Sequence, residues 1–311
     1  MGQRSGKVVV VPCYGLCNRL QVLTCGRLLA EDTGREFVLD WHPVSNCAAS
    51  FEDLFVADFP EPDDLAPDTR CYSSVKGSVA RSPYREMLLA RPEKRFGEIL
   101  RDPSPVIVIV TGHQFLGYFH DPRFGPRLRE LFRDVRPEIA CEAEAFRKQR
   151  FTEHTVGVHV RRTDWGRQRT LQHYLRWMDG FPGATFFVSS DDPTTFPEIR
   201  KHHPGAIEFP KASLSRGDRA GIEQALVDVI LLSETSYLIG TPGSSFSAVA
   251  QVVGDIPGIF EYGLSVSMRD LKLGNLIPPA RDKTLAAGLR RWATLARTLG
   301  RRLRRHRPPA P

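Results

Sequence analysis

The stretch Val156-Gly157-Val158-His159-Val160-Arg161-Arg162-Thr163-Asp164-Trp165 decides how the rest of the chain is read. Its first half is β-branched residues around one glycine, with no charge before His159, as expected of a strand buried on both faces. Its second half is polar, so the strand ends there. In an open α/β sheet the carboxyl ends of the strands are where ligands bind. Two adjacent arginines at that point are not core residues: a guanidinium keeps its charge, and its planar fork matches phosphate oxygens in a bidentate way. The stretch reads either as an anion site for a diphosphate or as a solvated charge cluster paired with Asp164.

Downstream, periodicity predicts a helix over 170–179, a strand over 184–190, a helix over 194–202 and a short strand over 206–209. A long helix over 218–234, a strand over 236–240 and a helix from Ser244 or Ser245 to Val253 follow. Strands alternating with helices at this spacing predict a doubly wound parallel sheet. Upstream, an apolar strand over 8–12 runs into Pro12-Cys13-Tyr14-Gly15. A helix over 16–32 with one apolar face comes next, then a Gly34 stop and a strand over 36–41. Residues 42–105 are rich in Pro, Asp and Arg and predict loops and short helices. A buried strand over 106–110, a helix from Phe124 to Val135 and a polar helix and linker over 138–152 complete the first half. The expected organisation is an N-terminal Rossmann-like domain over 1–140, a second over 150–265, and a basic tail over 283–311. Neither GxGxxG nor GxxxxGK[ST] occurs, so the usual dinucleotide and P-loop signatures are missing.

The chain has 311 residues, enough for two domains with separate cores; 41% are hydrophobic and 25% charged, as in globular proteins. The net charge of +7 is carried by the tail. From Lys283 onward there are one Lys and eight Arg and no acid, which leaves residues 1–282 at −2. A general nucleic-acid-binding surface on the body is thereby disfavoured. In the tail, Leu285, Leu289, Trp292, Leu295, Leu299 and Leu303 recur at helical steps among the arginines. The tail reads as a helix lying on an anionic membrane surface or as one docked on the body. The N-terminus runs into a strand without a long apolar segment, so the expected location is cytoplasmic, peripheral to the inner face of a membrane if the tail binds it. The six cysteines are expected to be free thiols, and their spacing supports no metal site.

Three more stretches carry chemistry. Ser190-Asp191-Asp192-Pro193 puts two carboxylates at a strand end, where they order the arginines or cap the next helix. Asp228 sits inside the apolar helix Ile222–Leu232, and a carboxylate in such surroundings needs partners. Thr241-Pro242-Gly243-Ser244-Ser245-Phe246-Ser247 brings hydroxyls to a helix start, which is either an anion site or a plain cap.

Taken together, these segments resemble the superfamily of α1,6-fucosyltransferases, protein O-fucosyltransferases and nodulation fucosyltransferases. His159-Val160-Arg161-Arg162-Thr163-Asp164 is similar to its H-x-R-R-x-D motif, and Ser190-Asp191-Asp192-Pro193 to its T-D-D-P segment. The helix around Asp228, the Gly243-Ser244-Ser245-Phe246-Ser247 turn and the loop Gly15-Leu16-Cys17-Asn18-Arg19-Leu20 match in the same order. The likeness covers roughly residues 8–42 and 155–255. After the motif, Trp165 and Arg169 stand where the α1,6 enzymes have a Lys and a Glu.

The resemblance implies an α/β, GT-B-like fold of two Rossmann-like domains facing a cleft. It implies an inverting transfer of fucose from GDP-fucose to a glycan, glycolipid or other hydroxyl acceptor, without a metal or further cofactor. Arg161 would stabilise the departing GDP in place of a metal, Arg162 and Asp191 would support it, and Asp164 is the nearest candidate base. His159 and Asp228 would contact the guanine, Ser244 and Ser245 the phosphate or ribose, and Gly15 and Asn18 would line the cleft. The alternatives are a transferase using another GDP-sugar and a non-catalytic nucleotide-sugar or glycan-binding protein on the same fold. Expected partners are the GDP-sugar, a glycan or lipid-linked acceptor and, through the tail, a membrane surface, with no nucleic acid.

Overall fold

The structure is a computed structural model and describes residues 6–62, 68–75, 96–163, 170–260 and 263–265. The basic tail, Asp164, Trp165 and Arg169 lie outside the described residues. Two compact units form. The first takes the chain up to residue 150 together with 209–234 and 248–254; the second takes 151–208, 235–247 and the remainder.

In the first unit, β1 (Lys7–Pro12), β2 (Glu36–Leu39), β3 (Thr69–Ser73) and β4 (Val106–Thr111) form a sheet in the order β2-β1-β4-β3. Every pairing is parallel. β1 is central, which is why Val8 to Val11 are all buried rather than alternating. Helix α1 (Leu16–Thr33) differs from the one-faced helix expected: burial runs round its circumference and includes Arg19, Gln21 and Thr24. It ends at Gly34, whose φ of 62° is the left-handed conformation of a helix stop. β3 was not expected; its five residues sit at a sheet edge inside a Pro- and Asp-rich stretch, too short to show a period. β2 stops at Leu39 instead of 41: Asp40 N–H still donates to Val10 O at 2.9 Å, then the chain turns into a bridge between Val44 and Cys47.

Helices α2 (Phe124–Arg133) and α3 (Pro137–Arg150) follow. Against α3 sits α6 (Arg219–Ser233), begun by the Asp218 carboxylate, which accepts Ala220 N–H. Phe146 meets Phe209 edge-on at 5.5 Å, and Arg147 pairs with Glu234 at 2.6 Å.

The second unit holds β5 (Thr155–Val160), α4 (Leu171–Met178), β6 (Thr185–Ser190), α5 (Thr195–His202) and β7 (Tyr237–Ile239). The start of α7 (Ser245–Gly254), β8 (Gly258–Phe260) and β9 (Gly263–Ser265) complete it. The sheet order is β6-β5-β7-β8-β9, parallel except for the last pair. Val156, Val158, Val160, Val188 and Ile239 pack against Tyr174, Met178 and Ile199. The strand expected over 206–209 is only a bridge: Ile207 exchanges hydrogen bonds with Phe186 and Val188, both at 2.8 Å. Pro204-Gly205 before it and Pro210 after it leave room for no more.

The six cysteines are free thiols. No helix among the described residues is long and apolar enough to cross a membrane.

Candidate functional site

The site in the second unit is assembled where β5 ends. His159 is buried, its ring stacked on Phe246 at 4.7 Å and 20°. Its Nδ1 lies 2.7 Å from Ser247 Oγ, and that oxygen accepts Thr241 N–H at 3.0 Å. With one proton and a second lone pair left, Ser247 Oγ can donate to Nδ1 or accept from it, according to the ring's tautomer. Burial pushes the imidazole down to about 4, the Arg161 charge works in the same direction and Asp191 opposes it. The ring is neutral near pH 7.

Thr241 ties the strand end to this loop. Its hydroxyl donates to His159 O at 2.9 Å, so it must be the acceptor for Arg161 N–H at 3.0 Å and for Tyr174 O–H at 2.8 Å. One oxygen thus holds three groups, and the backbone of 159–161 is pinned before either arginine side chain begins.

The two arginines have different surroundings. Arg162 N–H donates to Asp191 Oδ1 at 2.8 Å, while its guanidinium pairs with Glu198 at 3.2 Å and reaches Asp192 at 3.5 Å. Asp191 also accepts the Thr163 hydroxyl at 2.5 Å. Asp192 caps the next turn by accepting Thr194 N–H and O–H at 2.9 and 2.8 Å, and the Thr194 backbone bond leads the effects that lower its carboxyl. Asp191 and Asp192 both order the arginine segment, and Asp192 also closes the turn before α5, whose own N-cap is Thr194 without a side-chain bond. The Arg162 guanidinium is thus taken up by Glu198 and Asp192, while Arg161 sits half-buried at the strand end with its backbone N–H held by Thr241.

In the Thr241–Ser247 turn, Ser244 N–H closes on Thr241 O at 3.1 Å. The Ser244 hydroxyl is buried and has no hydrogen-bond partner among the described residues. A buried hydroxyl left unsatisfied costs about 1–3 kcal/mol, so a polar ligand there is favoured. Ser245, half-buried, opens α7. The hydroxyl sewn into the strand end is Ser247, which sequence reasoning did not single out, nor did it find Thr241 or Tyr174 in these roles. The hydroxyl-rich turn was visible as a signal; which hydroxyl faces the strand was not.

The first unit carries the other expected residues. Gly15 is the N-cap of α1 and Asn18 is half-buried in its first turn. Asp228 is buried on α6, and its partner is Lys211, with Nζ 3.0 Å from Oδ2 and both side chains nearly sealed from solvent. Among the described residues no group of three His, Cys, Asp or Glu could hold a metal ion.

No protein-family model matches the chain, and no curated protein matches it. Solved structures do. NodZ α-1,6-fucosyltransferase soaked with GDP-fucose superposes with a TM-score of 0.58 at 20% identity, over 82% of this chain and 95% of that one. The fold is that of the fucosyltransferases. Fucosyltransferase NodZ from Bradyrhizobium gives a TM-score of 0.60 at 19% identity, over 85% of this chain and 98% of its own. A point mutant of Arabidopsis thaliana FUT1 in complex with GDP gives 0.56 at 16% identity, over 83% and 71% of the two chains. POFUT1 in complex with GDP-fucose gives 0.55 at 14%, over 85% and 99%. The α/β, GT-B-like class with parallel sheets expected from the sequence is the one observed in this fucosyltransferase fold.

Proposed function

We propose that the chain is a GDP-sugar-dependent glycosyltransferase that takes fucose from GDP-fucose, with inversion and without a metal, to a hydroxyl of a glycan or lipid-linked acceptor. The observation that carries this reading is the pairing of Arg161, pinned through its backbone, with the buried and unpartnered Ser244 hydroxyl, both anchored on Thr241. As the bond from the anomeric carbon to the β-phosphate oxygen breaks, negative charge grows on the diphosphate. A fixed guanidinium meets that charge without reorganising, an effect of about 3–4 kcal/mol for a single well-placed donor. Support also comes from the fold shared with proteins bound to GDP and GDP-fucose.

Thermal shift against a nucleotide panel tests the donor. GDP and GDP-fucose at a hundredfold excess over Kd are expected to add about 2.7 kcal/mol, with UDP and NAD adding nothing. Stabilisation by GDP-mannose equal to that by GDP-fucose moves the reading to another GDP-sugar. Absence of any response to GDP overturns it, and binding with no consumption of GDP-fucose identifies a binder rather than an enzyme.

A further inference from the structure

The sheet of the first unit has a ligand place of its own. In the order β2-β1-β4-β3, β1 continues through α1 to β2 on one side, while its other neighbour, β4, is reached from β3 on the opposite side. β1 and β4 therefore flank the switch point of the sheet, and in open α/β sheets ligands bind there, outside the carboxyl ends of the strands. Two rings stand at that point. Tyr14 is two residues past β1 and His113 two past β4, and the strand ends are joined by Cys13 N–H donating to Thr111 O at 2.9 Å. The ring centroids are 5.5 Å apart at 55°. Among the described residues Tyr14 is the one Phe, Tyr or Trp left exposed, at 38%, and its hydroxyl has no hydrogen-bond partner among them.

The exposed ring is held in place. Tyr14 adopts φ 67°, a conformation costly for a bulky residue. Arg19, 2% exposed, fixes it by donating from Nε to Tyr14 O at 3.0 Å and from Nη1 to His42 O at 2.9 Å, with its guanidinium 4.9 Å over the Trp41 ring. One guanidinium therefore clamps the chain just past β1 to the chain just past β2. The Tyr14 ring lies on Gly112: a Cβ there would stand 1.8 Å from it, so a larger residue would push the ring away. The charged groups at these strand ends are sealed. Arg19 is spent on two carbonyls, the Asp40 side chain is 1% exposed, and burial raises the Cys13 thiol to about 11, which keeps it protonated. What reaches solvent beside Tyr14 is polar: the His113 ring, and the Ser74 hydroxyl, 2.7 Å from Thr111 Oγ1.

We propose that Tyr14 is the stacking platform of a subsite for an uncharged pyranose ring at this edge of the first unit. An aromatic face carries the negative side of the ring's quadrupole. One face of a pyranose presents a patch of C–H groups, apolar and slightly positive, and the hydroxyls around it can meet the Tyr14 hydroxyl, His113 and Ser74. An apolar body with a few polar groups beside it is the usual make-up of a small-molecule site. A nucleotide would bring phosphates, and the buried Arg19 offers them no grip. The subsite belongs to the first unit alone. That the sugar held there is part of the acceptor rests on the proposed transfer from GDP-fucose; the binding itself does not.

Saturation-transfer-difference NMR on the full chain, with no nucleotide present, tests this with methyl β-glucopyranoside, methyl β-galactopyranoside and the open-chain polyol sorbitol. At least one pyranoside should show saturation concentrated on the C–H protons of one face, and sorbitol, which has no ring face, should show none. Tyr14→Phe keeps the ring and should keep most of the binding. Tyr14→Gly suits a φ of 67° better than tyrosine does, so its urea midpoint should be no lower than that of the wild type. It should nevertheless weaken pyranoside binding by about fivefold or more, the scale of one aromatic contact. Gly112→Ala, which displaces the ring without deleting it, should weaken binding in the same direction. No saturation of either pyranoside in the wild type overturns the subsite. So does binding by Tyr14→Gly equal to wild type, or a sorbitol signal as strong as that of the pyranosides. Pyranoside binding by a chain that gives no response to GDP leaves the subsite standing and removes the donor reading. A response to GDP without pyranoside binding does the reverse.

Discussion

At the carboxyl edge of the second unit's sheet, the ends of β5 and β7 are tied by hydroxyls: Thr241 and Ser247 join His159, Arg161 N–H and Tyr174, beside the charged group of Arg162, Asp191, Asp192 and Glu198. At the same edge of the first unit's sheet, the strand ends are tied by a charged group, the buried Arg19, with Asp40 and His42 beside it. The difference is one of construction: in the second unit hydroxyls hold the backbone and the charged groups pair beside it, while in the first a buried guanidinium is itself the tie.

The contrast is broken most sharply at the two cations. Arg161→Ala is expected to cut turnover of GDP-fucose by about 10³-fold or more, in line with loss of a main oxyanion-type donor, while circular dichroism and urea midpoint stay near wild type. An inactive variant that is also unfolded would make Arg161 a structural arginine. Arg19→Met should do the opposite. It leaves two carbonyls and the Asp40 carboxylate buried without it, and should destabilise the chain by about 3–5 kcal/mol in urea unfolding. Full stability in that variant would mean that the clamp is ornamental.

Smaller effects sharpen the picture of the neutral edge. His159 has its proton affinity lowered by burial to about 4 from an ordinary value of 6.5. Between those values the unfolded chain binds more protons than the folded one, so stability should fall as pH drops from about 6.5 towards 4, by on the order of 3 kcal/mol. Above about pH 6.5 this contribution is complete and flat. His159→Gln should flatten the slope over that window; an unchanged slope would locate the sensitivity elsewhere. Thr241→Val, which keeps the shape and removes the shared oxygen, should cost about 2 kcal/mol through orphaned donors. Combining it with Tyr174→Phe should cost less than the sum of the two singles, because both delete one interaction.

Much of the frame was legible in the sequence. The apolar runs of β1, β4 and β5 and the helical periods between them depend on residues close along the chain, and their positions follow from side-chain spacing alone. β3 was missed, and 206–209 was taken for a strand, because four or five residues carry too little periodicity to outweigh their surroundings. The one-faced expectation for α1 failed because a helix covered on all sides accepts Arg19 and Gln21 where their polar atoms find partners, and partners are not a local property. The same reason hid Lys211, seventeen positions from the carboxylate it pairs with.

By itself the sequence determined that strands and helices alternate and that strand ends carry arginines, carboxylates and hydroxyls. These follow from hydrophobic burial and from local spacing. Only the tertiary structure decided how the adjacent and chemically identical Arg161 and Arg162 are held: Glu198 on α5 and Asp192 in the turn before it take the Arg162 guanidinium, and the Thr241 hydroxyl after β7 pins the backbone of Arg161. It alone decided that Ser247 rather than Ser245 meets His159, and that Arg19 is a clamp rather than a ligand-binding cation. Hydrogen bonds and ion pairs act over about 3 Å, and which groups come within that distance is set by the packing of elements far apart in the chain.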